Sequence, residues 1–172
     1  SSSWKLRIGI YITNSKIQII DNAAGIAAKD YSRAFRAAAR PEKRDGLSEF
    51  GMGMKTAACW FSKNWIVKTK PFGEKELKIV KWDIRNIVKD DLEELEVKKT
   101  SLPANQHYTD ITLTDLNRIP QGQTIKKMKT HLASMYRCFI EKNEIEIRYN
   151  NEKLKYEKPE VLQAPYFRDI DV

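Results

Sequence analysis

Cysteine and histidine are almost missing from this chain, with two of each in 172 residues. Cys59 and Cys138 fall inside helical patterns and at no metal spacing, so they read as reduced core residues of an intracellular protein. His107 and His131 have no partners at metal or triad spacing, which leaves them structural or surface roles. No stretch is apolar enough to cross a bilayer and no signal peptide is visible, so no membrane partner is expected. The expected location is the cytoplasm, or the nucleus in a eukaryote. Internal repeats and low-complexity tracts are absent. Two common phosphate signatures are missing as well. A P-loop needs glycine directly before its Lys-[ST] pair and another five residues earlier, but those positions hold Met54 and Glu49. No strand runs directly into a Gly-x-Gly-x-x-Gly turn, so the dinucleotide fingerprint fails too.

What remains is ordinary globular composition, 31% charged and 41% hydrophobic, with a net charge of +8. The length suits one well-buried domain or slightly more. The charge points to anionic partners, nucleotide or nucleic acid. Leu6, Ile8, Ile10 and Ile12 alternate with polar or small residues, which predicts a half-buried strand. Thr13-Asn14-Ser15 is turn chemistry, and 17–20 completes a hairpin that Asp21 ends. A helical pattern runs from Ala27 through Ala39. The polar, Pro- and Gly-containing stretch Arg40–Gly46 breaks it and is expected to act as a lid. A short helix carries Met54, Ala57, Ala58 and Phe61. Strands are expected at 65–70, 76–82, 93–99 and 108–114. Residues 123–141 form the clearest helix, with Ile125, Met128, Leu132, Met135, Phe139 and Ile140 on one stripe. A hairpin at 144–149 and 153–156 turns at Asn150-Asn151. This order favours an α+β fold, with helices on one face of a largely antiparallel sheet.

Two segments carry the candidate chemistry. Asp21 ends a buried strand, where a carboxylate without a partner is costly, and the amino group of adenine would supply a donor. Gly25 lets the backbone pass close to a flat ring. In the second segment, Gly51 and Gly53 permit φ angles that gather backbone N–H groups at the start of a helix, as a phosphate cradle requires. Lys55 stands in the first turn of that helix, against the macrodipole, which suggests a bound anion. Thr109, Ile111 and Leu113 share the apolar face of their strand, placing a hydroxyl on the core side. Taken singly, each has a plainer reading: a strand-to-helix turn, a flexible loop, a satisfied threonine. Met52 and Met54 could be core filling, and Lys126, Lys127 and Lys129 a solvated helix face.

Asp21 to Gly25 resembles the first glycine box, Asp-x-Gly-x-Gly, of the GHKL ATPases, with Ile26 following it. Gly51-Met52-Gly53-Met54-Lys55-Thr56 resembles the second box. Its lysine is similar to the MORC lysine that reaches the terminal phosphate. Tyr108-Thr109 sits where the family has a threonine near adenine. The resemblance covers Leu6 to about Leu116 and is nearest to MORC-type ATPases and their prokaryotic relatives.

It implies a Bergerat fold, a two-layer α+β sandwich with a mixed, mostly antiparallel sheet and helices on one face. It also implies ATP as ligand, with Mg²⁺, and contacts from Asp21, Gly25, Ile26, Gly51, Met52, Gly53, Met54, Lys55, Thr56 and Thr109. Lys55 would take the catalytic role. ATP would close the lid and drive homodimerisation or clamp closure, in DNA-associated work. Residues 1–120 would form the ATP-binding core, and 121–172 a helix and hairpin leading to a transducer-like module. Two departures stand out. Ala23 replaces the middle glycine, and the family's first helix, with its glutamate base and Mg²⁺-ligating asparagine, is expected before Ser1. Ser1-Ser2-Ser3 reads as a linker or cut end. The alternative is a nucleic-acid-binding or scaffold module with a degenerate, non-hydrolysing nucleotide pocket. A histidine-kinase role is disfavoured, since no phosphoacceptor histidine helix is recognisable.

Overall fold

The alternating isoleucines at the start of the chain form strand β1 (Leu6–Ile12), which turns back into β2 (Lys16–Asp21). Thr13 makes that turn, its hydroxyl accepting the N–H groups of Ser15 at 3.3 Å and Lys16 at 3.2 Å. The computed structural model describes residues 4–35, 53–90 and 97–158. The expected lid at 40–46, Gly51, Met52 and the first residues of the strand expected at 93–99 lie outside them.

A short 3-10 turn (Ala28–Asp30) leads into α1 (Tyr31–Phe35). Then come α2 (Gly53–Phe61), β3 (Ser62–Lys70), β4 (Glu76–Asp83), α3 (Ile84–Asp90) and β5 (Val97–Ser101). The chain continues through β6 (Tyr108–Leu116), α4 (Gln123–Met135), α5 (Arg137–Glu141), β7 (Ile145–Tyr149) and β8 (Glu152–Lys153). All eight strands join one sheet in the order β5-β4-β3-β6-β2-β1-β7-β8. Every pairing is antiparallel except β1 with β7. The sheet therefore runs past residue 120, since β7 extends it beyond β1.

The register sorts the strand residues into rows across the sheet, and these rows decide where a site can form. On the inner face, Ile12, Ile17, Leu113, Trp65 and Trp82 align in one row. The next row is Tyr149, Ile10, Ile19, Ile111, Val67, Val80 and Val97. Helices cover this face. Phe35 of α1 and Met54 and Phe61 of α2 pack on the cluster around Ile17, Trp65, Val67 and Leu113. Ile125, Met128 and Leu132 of α4 pack on a second cluster around Ile147, Tyr149 and Leu154, with Tyr136 and Ile140 beside them. Trp65 and Trp82 stack with ring centroids 4.7 Å apart.

Several sequence expectations change here. The long helix is broken at Tyr136, whose φ of −98° and ψ of 14° leave the helical region. Met135, at the end of α4, and Phe139, beyond the break, point to solvent while Ile140 still packs beside the second cluster. Cys59 and Cys138 are exposed rather than buried, because Ala58 and Ile140 take the inward positions beside them. Residues 84–90, which the pattern left unassigned, are helical. The late hairpin's second arm is only Glu152–Lys153. Its turn is the one expected: Asn150 and Asn151 have φ of 43° and 72°, the paired left-handed conformation of a type I′ turn.

Val67 is fully buried on the inner face, in the cluster that α1 and α2 cover. Val67→Ala should therefore cost about 2–3 kcal/mol by lost burial and a residual cavity, read by urea unfolding. Val88→Ala on the exposed side of α3 should change stability by less than about 0.5 kcal/mol.

Candidate functional site

One row below the aliphatic ones, the inner face becomes polar. Ile8 pairs with Asp21, Asp21 with Thr109, Thr109 with Thr69, and Thr69 with Lys78. Four adjacent strands thus present a carboxylate, two hydroxyls and an ammonium in line at the edge of the hydrophobic core. Asp21 is partly buried, and desolvation raises its pKa above 3.8 against the opposing pull of backbone hydrogen bonds from Ala23 and Thr109. Thr109 is buried, and its hydroxyl makes no hydrogen bond among the described residues. At the row's far end Lys78 is 3% exposed. Burial alone would lower its pKa, but the Glu74 carboxylate at 2.8 Å and the Tyr31 hydroxyl outweigh that and raise it. Its ammonium also lies 4.5 Å from the centre of the Tyr31 ring.

The turn after Asp21 is braced at nearly every polar atom. Ala23 N–H donates to Asp21 Oδ1 at 2.9 Å, and Asn22 holds the backbone of Lys5 and Arg7 through its amide. The Ala23 carbonyl accepts from His107 Nδ1 at 2.9 Å, and the Ala24 carbonyl from Phe72 N–H at 2.8 Å. Ile26 N–H donates to the Thr69 hydroxyl at 2.7 Å. Gly25 has a φ of +73°, and a Cβ there would sit 2.7 Å from the Lys70 carbonyl carbon and 2.9 Å from Pro71 Cα. The close approach that demands glycine is thus to the end of β3. Glu74, in the β3–β4 turn, reaches back to this region. Its pKa is lowered first by Lys78, and further by the Ala28 backbone N–H and the charge of Lys70.

The second segment is partly described. Gly53 opens α2 without a left-handed φ, and a Cβ there would meet nothing within 4 Å. Neither its conformation nor its packing requires glycine. Met54 packs on the core cluster and Thr56 is exposed. Lys55 is buried at 8% exposure in the first turn of α2, and desolvation lowers its pKa. Ile26, next to the first segment, and Met54, in the second, pack against the same cluster on the same face of the sheet.

Thr69, Lys78 and Glu74 were not singled out from sequence, although a signal existed for two of them. Thr69 shares its parity with Trp65 and Val67, and Lys78 with Val80 and Trp82, so each is a polar residue at an apolar position. Glu74 gave no such signal.

A helix-covered, mostly antiparallel sheet with a polar row beside its core is an α+β domain. The chain belongs to the histidine kinase-, DNA gyrase B- and HSP90-like ATPase family, whose model matches residues 5–115. Among solved structures it is similar to the ATPase region of Saccharomyces cerevisiae topoisomerase II, at 15% identity and a TM-score of 0.60, covering 87% of this chain and 43% of that one. It is also similar to the ATPase and transducer domains of Balamuthia mandrillaris DNA topoisomerase II, at 17% identity and a TM-score of 0.63, covering 87% and 42%. The chain thus spans less than half the length of these relatives. No curated protein matches it. Among the described residues no helix is long and apolar enough to cross a membrane.

Gly25→Ala should cost about 2 kcal/mol or more, since it combines backbone overlap with a left-handed φ, measured by urea unfolding without nucleotide. Glu74 supplies a pH dependence. Its folded pKa lies below 4.5, so its contribution is present above that pH and is lost as pH falls through the folded value. Glu74→Gln should therefore flatten the acid side of the stability–pH curve below about pH 5.

Proposed function

We propose that this chain is the ATP-binding part of a larger ATPase, with the adenine seated on the polar row and the phosphates at the start of α2. Membership in an ATPase family supports ATP binding. The observation that supports the site assignment is the shared core cluster against which Ile26 and Met54 both pack. Asp21 would accept a hydrogen bond from the adenine amino group, and its partial desolvation makes it receptive to such a donor. The Thr109 hydroxyl would bond the ring or Asp21. Gly25 and Ile26 would pass beside the base. Gly51, Met52, Gly53, Met54 and Thr56 would line the phosphates through the backbone. Lys55 would hold the terminal phosphate, an anion that offsets its unfavourable position in the helix's first turn.

Mg²⁺ would accompany the phosphates. Among the described residues no group of three or more acidic, histidine or cysteine side chains gathers to hold a metal. Hydrolysis would need a carboxylate base to orient water. Residues 121–172 would lead to a transducer-like module. Lid closure at 40–46 over the phosphates would create a new surface for homodimerisation. Lys55 supports a MORC-like version of this cycle, working on DNA. A second reading, a nucleic-acid-binding module with a non-hydrolysing pocket, draws on the net charge of +8 and the exposed Lys126 and Lys127 of α4.

Thermal-shift titration tests the nucleotide site. ATP or a non-hydrolysable analogue at 100 times Kd should stabilise the chain by about 2.7 kcal/mol, and Lys55→Ala should weaken that response, most clearly with Mg²⁺ present. Asp21→Asn should abolish it. Without nucleotide the variant should be no less stable than the parent at pH 7. Burial raises the Asp21 pKa, so the ionised group costs stability above that value and the cost disappears as pH falls through it. An Asp21→Asn chain that binds ATP like the parent would overturn the assignment.

A further inference from the structure

The sheet face away from the two helix-packed clusters carries a cleft of about 620 Å³ over β1, β2, β6 and β7. Arg7, Gly9, Tyr11, Ile20, Tyr108 and Arg148 line it, and Asp21 and Glu146 do as well, so it borders the polar row. Gly9 makes room for the Tyr11 side chain, which lies over it. A Cβ there would lie 2.7 Å from the Tyr11 ring and 3.2 Å from Ile20 Cγ2, and its φ is not left-handed. The backbone therefore does not need glycine; the space above it does. The register extends the cleft into a row across five strands, Arg148, Gly9, Ile20, Asp110 and Lys68, about 19 Å at the usual strand spacing.

This face carries both signs, with Arg7, Arg148, Lys68, Lys5 and Lys153 beside Asp110, Glu146 and Asp21. Asp110 is occupied by Gln18 and Thr112, each at 2.9 Å. Glu146 is held by Arg148 at 2.8 Å and Lys5 at 3.3 Å, with Lys153 at 3.8 Å. Both carboxylates are thus already engaged. Arg7 and Lys68 have no ion-pair partner among the described residues, and Arg148 stays half exposed. Aromatic rings beside cations on an open sheet suit unstacked bases and their phosphates. Duplex DNA offers only its backbone to such a surface.

We propose that this face binds single-stranded nucleic acid, with phosphates on Arg7 and Arg148 and a base against Tyr11. The proposal deepens the nucleic-acid reading above and rests on it, and the cleft borders the proposed nucleotide site at Asp21. The test is fluorescence anisotropy of a labelled 12-residue oligothymidylate on this chain between 50 and 200 mM NaCl. Arg7→Ala/Arg148→Ala should weaken binding about tenfold and make the log–log salt slope shallower by about 1.4, from two lost phosphate contacts. Tyr11→Leu keeps an apolar cover over Gly9 and should weaken binding several-fold at unchanged salt slope. All variants should keep the parent's thermal response to ATP. If Lys126→Ala/Lys127→Ala weakens binding and the arginine pair does not, the strand lies on α4; this surface is then wrong while the nucleic-acid reading stands. No binding at 50 mM NaCl sinks both. A polyglutamate peptide that binds as tightly, with no response to Tyr11→Leu, would make the occupant an acidic protein segment and overturn the proposal.

Discussion

The structure depends on a single change of character across the inner face of the sheet. Two rows are aliphatic or aromatic and one, Asp21–Thr109–Thr69–Lys78, is polar. The apolar rows supply the burial that holds the helices down. The polar row must find hydrogen-bond or ionic partners, because groups desolvated at the margin of a core are costly alone. Thr69 and Lys78 find theirs within the chain, in Ile26 N–H and Glu74. Asp21 is only partly compensated by backbone N–H groups, as its raised pKa records. That difference separates the structural end of the row from the end suited to a ligand.

The bracing around residues 22–26 follows from the same constraint. A turn leaving a strand beside a hydrophobic core exposes backbone groups that water cannot reach freely. Here Lys5, Thr69, Phe72 and His107 contribute the missing donors and acceptors. The carbonyl of Ala23 can only accept, so His107 must carry its proton on Nδ1. The turn is thus fixed before any nucleotide arrives, and a rigid site loses less freedom on binding. Glu74 and Lys78 extend the bracing to the first helical turn after the box, joining the β3–β4 hairpin to α1 through Tyr31.

The two faces of the sheet differ in chemistry. The inner face is closed by helices, and its polar row is reached from one edge. The outer face has engaged carboxylates and exposed cations, a combination that favours polyanions at low salt and loses them as salt rises. Alternate residues of each strand point to opposite sides, and Asp21, at the end of β2, stands in the polar row and also lines the outer cleft.

Much of this was legible in the sequence because strands and helices have fixed periods. Alternation at 6–12 and 108–114 placed the strands and put Thr109 on the core side, and Asn150-Asn151 marked the hairpin turn. The two-box pattern marked the family. Other features were decided only in three dimensions. Which strand lies beside which aligns Asp21 with Thr109, Thr69 and Lys78, and no local pattern encodes pairing between residues that far apart. Gly25 is required by the end of β3, more than forty positions along the chain. The helix break at Tyr136 and the exposure of both cysteines depend on where the sheet lies relative to a helix already formed. Local chemistry therefore determined the elements and the candidate ligand, while the register of the sheet decided which polar groups share an edge and which partners satisfy them.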